Sequence, residues 1–388
     1  MVPLLEYAKE KPAVPVPPVG ADGEQPLSKI SMKSIAEENC ENNPTEKNFE
    51  EMLRRMQRIS DPAYLHTVSM NELYENIYQS RPPIIGGLLY SGAYILAGAP
   101  KIGKSFLVAQ LAYHISTGQT IWNCDVHTGN VLYLALEDDY QRLQARMFRM
   151  FGVEGTDNLH FAVYAKQIGN GLDEQLETFM WEHPDTKLII IDTLQKIREV
   201  GGEAYSYAND YDIVGQMKKF ADRHGVCLLL VHHTRKQHAG DKFEMISGTT
   251  GLFGCADGAF LLQKENRTDL SATLDIVGRD QPDQRLYLQR DKERLIWTLD
   301  HAETDLWKER PDMILDFISR LVTAGKPEWH GSPTELVVAL GLDIKPNVLT
   351  LRLNVNAGRL MQEFGIRYES SRTHSGRFIK LTYISLEA

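Results

Sequence analysis

The chain has 388 residues, of which 43% are hydrophobic and 24% charged, and its formal net charge at pH 7 is −10. The length predicts about two to three domains and excludes a purely small-domain protein. The composition is typical of soluble globular proteins. No apolar run approaches the roughly 20 residues that a membrane-spanning helix needs, so no membrane partner is expected. The N-terminus shows no secretory signal, and the expected location is cytoplasmic.

The cysteines and the acidic charge bear on ligands and partners. Four cysteines lie far apart without a C-x-x-C pair, which favours reduced thiols over a zinc site or a disulfide framework. Acidity of the whole chain gives no support to a nucleic-acid partner. It does not exclude one, because such binding depends on local basic surfaces.

The first part of the chain precedes any strong periodic pattern. Residues 1–60 combine a proline-rich stretch with acidic and polar residues, which predicts a flexible or adaptor segment. A short helix is expected to begin near Ser69 and to end before Arg81-Pro82-Pro83. Residues 84–97 then lead into the first core strand of a domain that we place at residues 61–304.

A glycine loop is the most informative motif. Residues 98–105, GAPKIGKS, fill the pattern G-x-x-x-x-G-K-[ST] between a strand-like and a helix-like run. This order directs backbone N–H groups at phosphate oxygens near a helix N-terminus. Lys104 would neutralise the β and γ phosphates, and the Ser105 hydroxyl would coordinate Mg²⁺. The predicted nucleotide contacts are Gly98, Ala99, Pro100, Lys101, Ile102, Gly103, Lys104, Ser105, Phe106 and, from a later strand, Asp192.

Apolar strand-like runs alternate with helical runs from the glycine loop to residue 231. Continuous apolar strands separated by helices predict an α/β fold with a mostly parallel sheet covered on both faces. Four strand-like runs with few helices between them follow, the last at 295–299. We therefore expect an antiparallel edge, with the core closing near residue 302.

Carboxylates follow two of the buried strands. Asp192 ends the run 188–191, at the strand end where ligands of open α/β sheets bind, and we expect it to hold Mg²⁺ through a water. Glu137 follows the run 131–136 and is the candidate to orient the attacking water in hydrolysis. Asp139 is better explained as the N-cap of the next helix.

A polar cluster that begins with His232 and His233 follows a third buried strand. These side chains could sense a γ-phosphate, or one of them could be a hydrogen-bonded core residue. Zinc is disfavoured, because adjacent histidines on a strand point to opposite faces and no Cys or acid stands at ligand spacing.

Six segments in this order, GAPKIGKS, LYLALEDD, LIIIDTLQKIR, LLLVHHTRK, SGTTGLFGCAD and VGRD, resemble the RecA-fold ATPases of the RepA-type (AAA-like) replicative helicase family. The resemblance covers roughly residues 80 to 300 and implies a RecA-like P-loop core with ATP and Mg²⁺ as ligands. It assigns Lys104 and Ser105 to the phosphate loop and Asp192 to the magnesium-linked aspartate. Glu137 matches the catalytic glutamate, and His233 matches the polar sensor.

The same resemblance implies a homo-oligomeric ring, for example a hexamer, with each ATP between two subunits. An arginine would then reach the γ-phosphate from the neighbouring subunit. Arg279 is the first candidate, and Arg235 and Arg198 are less favoured ones. Each of the three could equally be a surface salt-bridge residue.

Two polar, glycine-containing segments, 196–210 and 235–250, correspond to loops that grip single-stranded DNA in RecA-like rings. Contacts of this kind would be made to the DNA backbone, and the alternative is ordinary solvent-exposed loop charge. The candidate contacts are Lys196, Arg198, Arg235, Lys236 and Lys242.

Residues 305–388 change in character. Three predicted helices followed by two strand-like pieces indicate a small winged-helix domain. Between residues 345 and 383 there are seven Lys or Arg against two acids. This excess predicts a phosphate-contacting surface for duplex DNA, and the alternative is a solvated face of a docking module. The basic residues are Lys345, Arg352, Arg359, Arg367, Arg372, Arg377 and Lys380.

Three functions remain to be separated. The first is an ATP-hydrolysing motor on DNA, a replicative helicase or translocase of a plasmid, phage or mobile element. The second is an ATP-controlled DNA-binding or helicase-loading factor without unwinding activity. A small-molecule kinase is the third and is disfavoured, because no segment identifies an acceptor pocket or a lid.

Overall fold

The structure is a computed structural model. The chain divides into two compact units, Met1–Ser69 and Met70–Ala388, and every helix and strand below belongs to the second. The predicted adaptor segment 1–60 lies outside the described residues. Only the backbone is described for residues 207–210 and 373. The described residues are 63, 65, 67–78, 81–198, 207–234, 254–279, 281–303, 311–373 and 376–384.

Helices and strands of the described residues are numbered in chain order. The short helix α1 spans Met70–Glu75 and precedes the core. The core strands are β1 (Gly92–Gly98), β2 (Asn130–Ala135), β3 (Leu159–Ala162), β4 (Thr186–Asp192), β5 (Cys227–His233), β6 (Gly258–Gln263), β7 (Ser271–Gly278), β8 (Gln284–Arg290) and β9 (Trp297–Ala302). The core helices are α2 (Lys104–Thr117), α3 (Tyr140–Phe151), α4 (Leu172–Glu182) and α5 (Tyr207–His224).

One sheet joins all nine core strands in the order β3-β2-β4-β5-β1-β6-β7-β8-β9. The first six strands of this order pair in parallel, and β7, β8 and β9 continue the sheet in antiparallel pairing. The prediction of a mostly parallel sheet with an antiparallel edge is therefore confirmed.

Both faces of the sheet are covered, which explains the continuous apolar runs in the sequence. In β1, Tyr94 and Leu96 join the core cluster that contains α2, whereas Ala93 and Ile95 join the cluster that contains α4 and α5. All seven residues of β1 are buried in consequence.

The last core strand differs from its prediction. The apolar pattern predicted a strand at 295–299, whereas β9 begins at Trp297. A turn occupies the preceding residues, because Asp291 Oδ1 accepts the backbone N–H groups of Glu293 and Arg294 and Leu295 adopts a φ of 61°. Leu295, which the apolar pattern assigned to the strand, therefore belongs to the turn.

The C-terminal part has its own core. Its helices are α6 (Met313–Leu321), α7 (Pro333–Leu340) and α8 (Pro346–Phe364), and its strands are β10 (Glu328–Gly331), β11 (Ile366–Thr373) and β12 (Gly376–Tyr383). The strands form an antiparallel sheet in the order β10-β12-β11. A capping box between Ser332 and Glu335 begins α7, and glycines in left-handed conformation end α7 and α8.

Strand β10 was absent from the sequence prediction. It has four residues and only Gly331 is buried, so it lacks the apolar alternation that marks a strand. It forms because β12 offers a partner, with Trp329 opposite Leu381. Within the described ranges, no helix combines the length and apolar character that crossing a bilayer requires.

Candidate functional site

The carboxyl ends of β1, β2, β4 and β5 lie at one edge of the sheet. In the ladder, Gly98 pairs with His233, and Ala135 pairs with Asp192. Because these strands are parallel, the residues that follow each of them meet at the same edge. The structure thus brings together the glycine loop, Glu137, Asp192 and His233, as the sequence analysis expected.

The glycine loop needs both of its glycines. At Gly98, a Cβ would lie 2.6 Å from Ile102 Cδ1 and 2.7 Å from the carbonyl oxygen of Leu262. Gly103 has a φ of 109°, and a Cβ there would lie 2.9 Å from Trp297 Cζ2. Helix α2 starts at the next residue, so the loop delivers the chain directly into a helix N-terminus.

Lys104 is buried at the mouth of the loop. Its Nζ donates to the carbonyl oxygens of Gly98 at 2.7 Å and Ala99 at 3.0 Å, and it lies 3.0 Å from His233 Nδ1. Burial lowers the pKa of His233 and Lys104 lowers it further, so the neutral imidazole accepts this hydrogen bond. All three acceptors are neutral. A phosphate oxygen would bind the ammonium group more strongly than any of them.

The affinity for ATP is expected to fall above pH 8. Burial lowers the pKa of Lys104 to about 8, against the opposing influence of Asp192 and Glu137. Phosphate oxygens favour the charged ammonium in the complex, so binding takes up a proton wherever free Lys104 is neutral. The dissociation constant should then rise by up to about tenfold per pH unit. Calorimetric titration from about pH 7 to about pH 9 measures this, and a profile as flat as that of Lys104→Met would contradict it.

Asp192 is held by two hydroxyl groups. It is 5% exposed, and Tyr133 Oη donates to its Oδ2 at 2.9 Å. Burial raises the pKa of Asp192, and hydrogen bonds from Ser105 and Tyr133 act in the opposite direction. The Ser105 hydroxyl and the Asp192 carboxylate are neighbouring oxygen donors, the ligand type that Mg²⁺ prefers, so the residues fit this cation.

Tyr133 was missed by the sequence analysis. It lies in the buried run 131–136, where it reads as a core residue, and its ring is fully buried. The sequence offers one weak signal for this role, because Tyr133 is an aromatic residue with a polar hydroxyl group in an otherwise aliphatic strand. Its role depends on the pairing of β2 with β4, which places Tyr133 two residues before the partner of Asp192.

The Tyr133→Phe variant is expected to bind Mg²⁺ about fivefold more weakly in the presence of nucleotide, because Asp192 loses one hydrogen-bond donor that orients it. The magnesium dependence of fluorescent-nucleotide binding measures this without turnover. Tyr94→Phe is the matched control, since it removes a buried tyrosine hydroxyl from the same core cluster. Equal magnesium dependence in both variants would rule out this role for Tyr133.

The three acids after β2 have different surroundings. Asp138 forms ion pairs with Arg146 at 2.7 Å and Arg142 at 3.3 Å. Asp139 is the N-cap of α3 and accepts the backbone N–H of Arg142 at 2.8 Å, which confirms the structural interpretation of this residue. Glu137 is exposed, and its Oε1 lies 3.4 Å from Thr193 Oγ1, directly after Asp192. Glu137 thus presents a carboxylate at the site, and its catalytic role stays a prediction.

Arg279 lies at the other end of the sheet. It follows Gly278, which pairs with the first residue of β6, and β6 runs parallel to β1. Its side chain is 52% exposed, and Nη2 donates to the carbonyl oxygen of Gly254 at 3.3 Å. The structure therefore does not bring Arg279 to the glycine loop of its own chain.

The remaining predicted basic contacts are only partly described. Lys196 is exposed in a short 3-10 turn after Asp192, and Arg198 Nη1 lies 3.5 Å from Gln195 Oε1. The candidates Arg235, Lys236 and Lys242 lie outside the described residues.

The sequence analysis also missed Arg290, which lies against two aromatic rings beside the glycine loop. The Arg290 guanidinium lies 4.4 Å from the ring centre of Phe106 and 5.6 Å from that of Trp297. Trp297 Nε1 donates to the carbonyl oxygen of Gly103 at 3.4 Å. This contact ties the antiparallel edge of the sheet to the start of α2.

The chain is similar to one family of domains and to DNA repair proteins over part of its length. Residues 59–239 match the AAA domain family. The DNA repair protein RadA of Streptococcus pneumoniae (strain ATCC BAA-255 / R6) is 22% identical over 177 residues, which cover 45% of this chain and 38% of that protein. RadA of Streptococcus pyogenes serotype M6 is 24% identical over 157 residues, which cover 40% and 30%. The chain thus spans well under half the length of these relatives.

Two solved structures are similar over about two thirds of this chain. One is the structure of an ATPase domain, which is 14% identical, with a TM-score of 0.46, and the match covers 66% of this chain and 99% of that one. A DnaB-like replicative helicase, solved for its interactions with primase, is 16% identical, with a TM-score of 0.47 and coverage of 69% and 75%. The strand order and the glycine loop between β1 and α2 are those expected of a RecA-like P-loop core, and residues 59–239, which match the AAA domain family, contain this loop and strands β1 to β5.

Proposed function

We propose that this chain hydrolyses ATP at the edge of the sheet where β1, β2, β4 and β5 end, and that it uses the reaction to act on DNA. The observation that carries the first part is the meeting of Lys104, Ser105, Asp192 and Glu137 at that edge. A phosphate-binding loop, two oxygen ligands for a cation and a carboxylate for water are the parts that phosphoryl transfer to water requires.

The proposed mechanism uses these side chains in turn. Backbone N–H groups of the glycine loop bind the phosphates, and Lys104 exchanges its neutral acceptors for β- and γ-phosphate oxygens. Ser105 and Asp192 would hold Mg²⁺, which when bound neutralises charge on the phosphate oxygens. Glu137 orients the attacking water and accepts its proton. His233, released from Lys104, faces the terminal phosphate as a hydrogen-bonding partner.

The DNA part of the proposal has separate support. Both RadA relatives are named as DNA repair proteins. We propose single-stranded DNA contacts through the segments after β4 and β5, and a homo-oligomer such as a hexamer, in which Arg279 reaches a neighbour's ATP. The exposure of Arg279 and its distance from the loop of its own chain favour a role at a neighbouring subunit. A replicative role for a plasmid, phage or mobile element rests on the resemblance of the six motifs alone.

We propose that residues 305–388 are a winged-helix domain that contacts duplex DNA. The element order α6, β10, α7, α8, β11, β12, with a three-stranded antiparallel sheet, supports this assignment. Such an additional domain also favours the second candidate, an ATP-controlled DNA-binding or helicase-loading factor without unwinding activity.

Three measurements on the full chain separate the candidates. A motor should release phosphate faster when single-stranded DNA is added and should displace a labelled strand. A loading factor should bind DNA with slow turnover and no displacement. The mass in solution, measured with and without ATP and DNA, tests the proposed oligomer. Absence of phosphate release under all conditions would refute the proposed hydrolysis.

A further inference from the structure

Helix α1 is bound to the C-terminal part of the chain through a buried asparagine. Asn354, in α8, is 1% exposed, and its Nδ2 donates to the carbonyl oxygens of Tyr74 at 3.0 Å and Glu75 at 3.1 Å. Its Oδ1 accepts a hydrogen bond from Tyr368 Oη at 2.9 Å. The amide thus uses both donors and its acceptor in one network that joins three elements.

This contact explains why α1 exists. The helix has six residues and buries none of them, and isolated helices of this length are unstable in water. The last carbonyl groups of a helix have no partners within the helix, and Asn354 supplies donors for two of them in α1. The stability of α1 therefore depends on its attachment to α8.

The same attachment neutralises two of the basic residues that the sequence analysis assigned to DNA. Glu75 Oε1 lies 3.3 Å from Arg372 Nη2, and Glu75 Oε2 lies 3.9 Å from Arg377 Nη2. Arg372 and Arg377 are direct cross-strand partners at the end of the β11–β12 hairpin. A single carboxylate, from the helix that precedes β1, thus contacts both guanidinium groups.

Other basic residues of this surface pair within the C-terminal part. Arg352 pairs with Asp312 at 3.2 Å, and Lys380 pairs with Glu328 at 3.5 Å. Glu75 differs from these acids because it belongs to the segment that leads into β1. Its pair with Arg372 is largely exposed, with side-chain exposures of 44% and 70%, and exposed pairs contribute little to stability. Phosphate groups can therefore displace Glu75 from Arg372, and the Arg377 side chain, which is 19% exposed, would take part in the competition through the part of it that reaches the surface.

We propose that α1 is a detachable strap, and that Glu75 and the phosphates of duplex DNA compete for Arg372 and Arg377. Binding of DNA to the hairpin releases Glu75 and leaves the end of α1 held through the Asn354 amide, so that α1 opens more readily. The proposal rests on the proposed contact between the C-terminal part and duplex DNA, and it adds an autoinhibitory contact that regulates this surface.

The test compares Glu75→Gln with Glu72→Gln in the full chain, because both substitutions remove one acid from the same helix. Fluorescence anisotropy with a labelled duplex, at fixed salt, should show that Glu75→Gln binds about fivefold more tightly than Glu72→Gln. In the Arg372→Ala, Arg377→Ala background, this gain from Glu75→Gln should disappear. Hydrogen exchange of residues 70–76 should accelerate when duplex DNA is added to the unaltered chain.

Two failures are distinguishable. If the unaltered chain binds the duplex and Glu75→Gln binds it no better than Glu72→Gln, the strap is refuted and the proposed DNA contact stands. If neither the unaltered chain nor any variant binds the duplex, the proposed contact fails and the strap fails with it. Phosphate release by the same preparations reports on ATP hydrolysis independently.

Discussion

The Lys104→Ala variant is expected to bind ATP about tenfold more weakly and to release phosphate about 10²- to 10³-fold more slowly than the unaltered chain. Lys104 is a buried cation at the loop, and its ammonium group donates to two backbone carbonyl oxygens and to the imidazole of His233, all of them neutral. Removing it leaves the charge on the β and γ phosphates without this partner, and the deficit grows as charge develops in the transition state. Nucleotide titration and single-turnover phosphate release separate the two effects.

The control for this variant is Lys187→Ala. Lys187 is a partly buried lysine of β4, paired with Asp185 near the start of the strand, at the end opposite Asp192. The Lys187→Ala variant should leave both ATP binding and ATP turnover unchanged. Thermal unfolding of Lys104→Ala should be close to that of the unaltered chain, because a buried cation contributes little net stability. Turnover within threefold of the unaltered chain would show that phosphate is bound elsewhere.

The parts of the site that the sequence predicted are those set by local order. The glycine loop is continuous in sequence, and Asp192 and His233 each end an apolar run. Because parallel strands align their carboxyl ends, recognising the strands was enough to place these residues at one edge. Tyr133 and Trp297 could not be found in this way. Tyr133 reaches Asp192 because β2 pairs with β4, and Trp297 reaches the loop through a side-chain hydrogen bond to Gly103, which is 194 residues away in the sequence.

The charge of the C-terminal part shows a second limit of sequence counting. The window 345–383 contains an excess of basic residues, and this excess predicted a surface free to bind phosphate. Three of the acids that pair with those residues, Asp312, Glu328 and Glu75, lie outside the window. A count along the chain treats them as distant, whereas the fold places them beside the arginines and the lysine.

The Glu137→Gln variant is expected to bind ATP with nearly unchanged affinity and to turn it over at least about 10²-fold more slowly. Glutamine keeps the length and the hydrogen-bond acceptor that faces Thr193, 3.4 Å from the glutamate oxygen, but it cannot take a proton from water. The ground state with ATP should therefore form normally, and the chemical step should fail. Equilibrium binding of ATP together with rapid-quench measurement of ADP formation distinguishes these two stages.

Asp139→Asn is the matched control, because it neutralises a neighbouring carboxylate while asparagine still caps α3. It should retain turnover. If Glu137→Gln hydrolysed ATP as fast as Asp139→Asn, the carboxylate beside Thr193 would have no part in activating water. The base would then have to come from another group at the same edge, and His233 would be the first to test, because its neutral imidazole already accepts a hydrogen bond from Lys104.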